Sequence, residues 1–238
     1  MKKDRIAIVC SGGGMRCAYT GGALVALARE KELTSPDFII ASSGSAAFAL
    51  YYLAGQLDAI QDIATYLLST PKFISFLRPW KIMDIDYLID VVFKEQRPLD
   101  VKKLQQAHSD YFIGVTESGS RRAHYISKSA HVNEFELLRA TKAIPILYNG
   151  SASLFGKRYI DGAVSISFED SINKAFELGA TKIIGIDNRS QIRLRCGKMP
   201  SKVALIAPYV NPAKLITRNA RTLTAAFESG YSDALAID

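Results

Sequence analysis

Five small residues in a row, Ala41-Ser42-Ser43-Gly44-Ser45, place hydroxyl groups at the junction of two apolar segments. A serine becomes a nucleophile for acyl transfer when a sharp strand-to-helix turn lifts its hydroxyl clear of a sheet. Such a turn brings the residues two before and two after it into contact, so both must be small. Ser43 has Ala41 and Ser45 as flanks, whereas Ser42 has Ile40, which would crowd the turn. Ser45 also has small flanks but lies further into the following helix. Ser43 is therefore the candidate nucleophile and Ser45 the second choice. A tight helix-on-strand crossing without chemistry would produce the same composition.

The second feature is Ser11-Gly12-Gly13-Gly14-Met15-Arg16, which follows the apolar run Arg5 to Cys10 and precedes an amphipathic stretch from Cys17 to Leu33. Glycines let successive backbone N–H groups converge, and a helix N-terminus adds partial positive charge, so this loop suits an anion. A phosphate loop would need Gly-Lys-Ser/Thr at its end. A dinucleotide fingerprint would need Gly or Ala at the position of Cys17, and an acid after the second strand. The remaining option is an oxyanion hole, in which the Gly12, Gly13 and Gly14 amides hold the charge that develops on a carbonyl oxygen.

A serine nucleophile needs a base. The three histidines, His108, His124 and His131, all lie between Ser43 and Asp161, and a Ser, Asp, His order would require one late in the chain. A carboxylate acting directly on the serine fits better. Asp161 and Asp187 both sit at the ends of apolar segments, and Asp161 is preferred because Gly162 permits close backbone approach.

The elements that must position these groups alternate. Strands are expected at 5–10, 37–40, 110–116, 121–127, 158–160, 182–187 and 202–208. Helices are expected at 17–33, 46–53, 54–68, 84–94, 134–142, 169–178 and across most of 213–235. Strands alternating with helices give an α/β fold with parallel neighbours, whose ligands gather at the carboxyl ends of the strands. The segment from Ser69 to Met83 carries Phe73, Ile74, Phe76, Leu77 and Trp80 among Lys72, Arg78 and Lys81. Most of these apolar side chains are expected in the core, with a lid or an interface-facing patch as the other reading.

At 238 residues with 48% hydrophobic and 22% charged side chains, the chain reads as one globular domain over residues 1–238. No run approaches a membrane span, and the apolar stretch after the charged N-terminus is too short for a signal peptide. A cytoplasmic location is therefore expected. Cys10, Cys17 and Cys196 lack metal-type spacing and read as reduced packing thiols. The net charge of +7 is biased to the last fifty residues, at Arg189, Arg193, Arg195, Lys198, Lys202, Lys214, Arg218 and Arg221. This bias suits a solvated face or peripheral contact with an anionic membrane. No nucleic-acid-binding signature is present. The oligomeric state is not legible.

Three motifs in this order and spacing make the chain resemble the patatin-like phospholipase family, and its short bacterial members most: Gly12-Gly13-Gly14-Met15-Arg16, Ala41-Ser42-Ser43-Gly44-Ser45 and Asp161-Gly162-Ala163. Ala143-Ile144-Pro145 and Glu177-Leu178-Gly179-Ala180 resemble the family as well. The resemblance implies a three-layer α/β/α sandwich with a mostly parallel central sheet. It implies lipid or acyl-ester hydrolysis by a Ser43/Asp161 dyad, with Gly12 to Gly14 as the oxyanion hole and no metal or other cofactor. The family's elbow is Gly-x-Ser-x-Gly, and here both glycines are replaced, by Ala41 and Ser45. A non-catalytic lipid-binding or regulatory protein, or an acyltransferase, is the alternative.

Overall fold

The computed structural model of the chain describes residues 4–150, 152–191 and 200–237. Among these residues, eight strands form one sheet: β1 (Ile6–Cys10), β2 (Phe38–Ser42), β3 (Asp110–Glu117), β4 (Ala123–Ser127), β5 (Ala152–Leu154), β6 (Lys157–Asp161), β7 (Lys182–Ile186) and β8 (Val203–Ile206). The order is β5-β6-β3-β2-β1-β7-β8, with β4 also paired to β3. The β3-β2-β1-β7-β8 run is parallel, and β4, β5 and β6 pair antiparallel.

The central strands are apolar without interruption because both faces are covered. Alternation along each strand sends successive side chains to opposite layers. Ala7 and Val9 of β1 and Phe38 and Ile40 of β2 meet α6 (Phe168–Glu177) through Phe168, Ile172 and Ala175. Ile8, Cys10, Ile39 and Ala41 point the other way, into the larger core. That core is built with α1 (Cys17–Arg29), α2 (Gly44–Leu53), α5 (Glu134–Lys142) and α7 (Ala220–Leu235). The result is an α/β fold of three layers. Helix α6 starts at Phe168, one residue before the expected Glu169, because Ser167 and Asp170 form a capping box.

Several boundaries differ from the pattern-based expectation. The stretch 54–68 divides into α3 (Leu57–Asp62) and a π-helical turn (Ile63–Leu67), and 84–94 becomes a π-helical segment, Tyr87–Gln96. Period-3.6 reasoning cannot tell α from π winding over so few turns. A short α4 (Val101–Gln106) follows, started by the Asp100 side chain accepting from the Lys103 N–H. The last helix starts only at Ala220, capped by Asn219.

Cys10 and Cys17 are free and buried, and Cys196 lies outside the described residues. Arg193, Arg195 and Lys198 of the basic C-terminal region lie outside them too. No helix among the described residues is long and apolar enough to cross a membrane.

Candidate active site

The sheet brings two distant segments to one point. Strand β4 occupies one edge of β3 from Phe112 to Thr116. Both β2, ending with Ser42 beside Gly114, and β6, ending with Asp161 beside Val115, therefore share the other edge. They run toward each other and stop end to end. Ser43 leaves β2 at this meeting point and its Oγ donates a hydrogen bond to Asp161 Oδ2 at 2.6 Å. The second oxygen, Oδ1, accepts from the Ala163 N–H at 2.8 Å, which fixes the carboxylate plane. A Cβ at Gly162 would stand 2.2 Å from the Gly114 carbonyl oxygen, so only glycine fits after this aspartate.

The backbone strain of the elbow falls on the serine itself. Ser43 has φ 54° and ψ −132°, a conformation that costs about 1–3 kcal/mol in a non-glycine residue. Neither Ala41 nor Ser45 has a positive φ. The two replaced glycines therefore need only be small, as they are. The strained peptide is held from α5, where the Ser43 N–H donates to Thr141 Oγ1 at 2.8 Å and the Thr141 hydroxyl donates to the Gly114 carbonyl at 2.6 Å. Next to it, the buried Lys142 ammonium donates to the carbonyls of Ser43 and Gly44. Sequence reasoning missed both residues. A lysine in the last turn of a helix ordinarily serves the helix dipole, and nothing local indicates that its amine turns inward.

Burial sets the electrostatics. It pushes the Asp161 carboxyl up to about 6, against the opposing pull of the Ser43 and Ala163 hydrogen bonds and the Lys142 charge. Burial likewise lowers Lys142 to about 8, while Cys17 and Asp161 favour its proton. Near neutral pH the site holds an ionised carboxylate beside an ammonium. Helix α2 begins directly after Ser43, so its positive end also faces the serine.

The glycine loop passes over the same point. A Cβ at Gly12 would lie 3.1 Å from the Cβ atoms of Ser43 and Ala163. The N–H groups of Gly12, Gly13 and Gly14 take no partner among the described residues. The next amide is occupied, since Met15 N–H donates to the Leu215 carbonyl at 3.0 Å. Asn188, fully buried, braces the loop from below: its N–H donates to Ser11 Oγ at 3.0 Å and its side-chain amide to the Ser11 carbonyl at 3.3 Å.

The other candidates are placed elsewhere. Ser45 is fully buried and its Oγ donates to the Ser11 carbonyl at 2.7 Å, beside Cys17 Sγ at 3.1 Å. It ties the elbow to the glycine loop and faces away from Asp161. Ser45→Ala is expected to cost about 1 kcal/mol of stability and leave ester turnover within twofold, checked by thermal melting and a chromogenic ester assay. Asp187 is bound by the Arg189 guanidinium, with Nη2 at 2.7 Å. His108 and His131 are exposed, and His124 meets Glu117 at 3.1 Å. Among the described residues no cluster of acidic, histidine or cysteine side chains could hold a metal ion.

Ser43 stands where two clefts meet. One is apolar, with Ala47, Phe48, Phe73, Met83, Leu88 and Phe93 in its wall. The other is more polar and open, and is bounded by Arg16, Asp161, Ser165, Asp170, Arg189 and Leu215. An ester of an apolar acyl group with a polar alcohol has this same two-sided character.

The chain is 24% identical over 188 residues to the uncharacterized protein YjjU of Escherichia coli (strain K12), covering 76% of this chain and 51% of that protein. It thus spans about half the length of that curated relative. Among solved structures, VipD from Legionella pneumophila matches with a TM-score of 0.63 at 10% sequence identity, over 98% of this chain and 66% of that one. At that identity the likeness is one of fold. The family model for patatin-like phospholipase matches residues 8–169, from β1 through Asp161 into α6. This chain belongs to the patatin-like phospholipase family.

Proposed function

We propose that this chain is a serine acyl hydrolase of lipid esters, with Ser43 as nucleophile and Asp161 as its base. The observation that carries this reading is the 2.6 Å hydrogen bond from Ser43 Oγ to Asp161 Oδ2, at the junction of an apolar and a polar cleft. Family membership supports lipid hydrolysis as the reaction class.

The acyl chain lies in the apolar cleft and the alcohol portion in the polar one, so the ester carbonyl falls beside Ser43. Asp161 takes the hydroxyl proton as Oγ attacks the carbonyl carbon. The Gly12, Gly13 and Gly14 amides, unengaged and next to the serine, receive the oxyanion. Asp161 then returns the proton to the departing alkoxide, leaving an ester on Ser43. A water gives its proton to the same carboxylate and attacks the ester carbon; as the ester bond breaks, Asp161 passes that proton to the departing Ser43 Oγ, which frees the fatty acid and restores the dyad. The Ser43 and Ala163 hydrogen bonds and, less, the Lys142 charge oppose the upward push of burial on Asp161, and the Lys142 hydrogen bonds to the Ser43 and Gly44 carbonyls hold the elbow. The non-catalytic alternative is motivated by the two replaced glycines; that neither Ala41 nor Ser45 has a positive φ supports the catalytic reading over it.

The test is labelling by a fluorophosphonate, read by intact mass across pH. Asp161 accepts the serine proton only when ionised, so the rate should rise about tenfold per pH unit below 6 and level off above it. A rate independent of pH between 4.5 and 7.5, or no adduct on folded protein, would count against this base.

A further inference from the structure

The segment before the π-helical stretch Tyr87–Gln96 reverses the usual arrangement of a surface loop. Ile74 and Met83 form an antiparallel bridge, and the Ser75 N–H donates to the Ile82 carbonyl at 2.9 Å, so residues 74–83 make a two-legged tongue. Its base is buried in the wall of the apolar cleft, at Phe73 and Met83. Its tip shows Phe76, Leu77 and Trp80 to solvent at 67%, 94% and 71% exposure. The expectation that most of these apolar side chains lie in the core fails at the tip.

The charged residues of the tongue are turned inward instead. The Arg78 guanidinium pairs with Asp84 at 2.8 Å and donates to the carbonyls of Pro71, Lys72 and Phe73 at 3.3, 2.9 and 3.2 Å. Lys81 pairs with Asp84 and Asp86, both at 2.9 Å. The loop is thereby held in one shape, and that shape presents its apolar side chains outward. A soluble protein gains nothing from holding three large apolar groups in water.

Neighbouring elements extend the same surface. Met83 N–H donates to the Leu147 carbonyl at 2.9 Å, which sets the tongue beside Ile146. Ile146 is 87% exposed and has φ 75°, a strained conformation for a β-branched residue. Arg218 Nη1 donates to the Ile74 carbonyl at 3.3 Å, which ties the tongue to the segment that carries Lys214 and the exposed Leu215.

We propose that the tip of this tongue, with Ile146, is a wedge that seats the mouth of the Ser43 cleft on an anionic lipid bilayer. Charge complementarity decides the occupant. Asp84 and Asp86 are neutralised within the protein, by Arg78 and Lys81 and by Lys81 and Arg139, whereas Lys72, Lys214 and Arg218 are exposed around the apolar tip. Apolar and aromatic side chains rimmed by lysine and arginine match the interfacial layer of a membrane with negative headgroups. The base of the tongue lines the apolar cleft, so an acyl chain reaches Ser43 from the bilayer along an apolar path. The wedge rests on the acyl-hydrolase reading for its purpose, but its binding to lipid is measurable without catalysis.

The experiment compares wild type with Leu77→Glu/Trp80→Glu by co-sedimentation with phosphatidylcholine vesicles containing or lacking phosphatidylglycerol. Turnover of a short-chain, water-soluble ester and of vesicular phospholipid is measured alongside. Wild type should bind the anionic vesicles, and the double variant should bind them at least tenfold more weakly, on the order expected from losing two buried apolar side chains. Hydrolysis of vesicles should fall in parallel, while the soluble ester and the melting temperature stay unchanged, because both side chains are exposed in the free protein. Vesicle binding by the double variant equal to wild type would overturn the wedge. Equal wild-type binding to neutral vesicles would overturn the choice of an anionic surface. A wild-type dimer that becomes a monomer in the double variant, with no vesicle binding by either, would overturn it in favour of a second copy of the chain. An inert wild type that still binds anionic vesicles through this tip would sink the hydrolase reading and leave the wedge standing.

Discussion

Ser43→Ala is expected to eliminate the fluorophosphonate adduct and lower ester turnover by roughly 10⁴-fold or more, the scale seen when a nucleophile and base act as one unit. Asp161→Asn should reach a similar loss, of about 10³- to 10⁴-fold, although the asparagine keeps the shape of the site. Its Oδ1 still accepts from Ala163, but an amide nitrogen facing Ser43 Oγ donates where a proton must be accepted. Stability separates a lost base from a lost fold. The folded pKa of Asp161 lies above its unfolded value, so the contribution of this group is fully present below about 3.8 and is lost as pH rises through about 6. At pH 7.5 the buried ionised carboxylate is a burden that asparagine removes. The inactive Asp161→Asn protein should therefore melt no lower than wild type at that pH. Appreciable turnover by Ser43→Ala, set against Ser45→Ala as control, would show that another group attacks the ester.

Gly44→Ala should be nearly as damaging, though it touches no titratable group. A Cβ there would sit 2.8 Å from the Gly14 carbonyl oxygen and 2.7 Å from Cys17 Sγ. The elbow and the glycine loop are in contact at this point, so a methyl group must force them apart. An oxyanion site depends on donors within a few tenths of an ångström of the developing charge, and loss of a single donor costs about 10²- to 10³-fold. We expect a fall of that size in kcat, and a rise in KM as well, because Gly14, Cys17 and Gly44 also line the apolar cleft. Adding Cys17→Gly should not restore activity, since the Gly14 carbonyl still blocks the methyl group. A Gly44→Ala enzyme with wild-type kcat would remove the loop from the reaction.

The parts of this site that depend on chain direction were legible in the sequence. Buried parallel strands are continuous apolar runs, so Arg5 to Cys10, Asp37 to Ile40 and Lys182 to Asp187 stood out. The residues at their carboxyl ends were then natural places to seek chemistry. What remained hidden depends on side chains turning toward partners distant in sequence. Thr141 and Lys142 look like ordinary helix residues until the fold sets them under the Ser43 peptide. The exposure of Phe76, Leu77 and Trp80 was illegible for a related reason. An apolar residue in a loop has the same composition whether it faces the core or the solvent, and only the inward turn of Arg78 and Lys81 decides the matter. The replaced elbow glycines seemed to threaten the turn because crowding and backbone strain are not separable from sequence. In the structure the crowding applies to the flanks and the strain to Ser43.

With Ser43 and Asp161 as the proposed dyad, the end-to-end meeting of β2 and β6 along one edge of β3 also sets when reactivity is acquired. Ser43 and Asp161 are 118 residues apart, and β6 pairs with β3 antiparallel only after the whole intervening chain has been threaded. Contacts of such long range form late, since loop closure must be completed before they are rewarded. With the proposed dyad, a nascent chain carries its serine long before its base and stays unreactive until Asp161 has emerged and β6 has docked on β3, so assembly of this one edge acts as a safety catch on acyl attack.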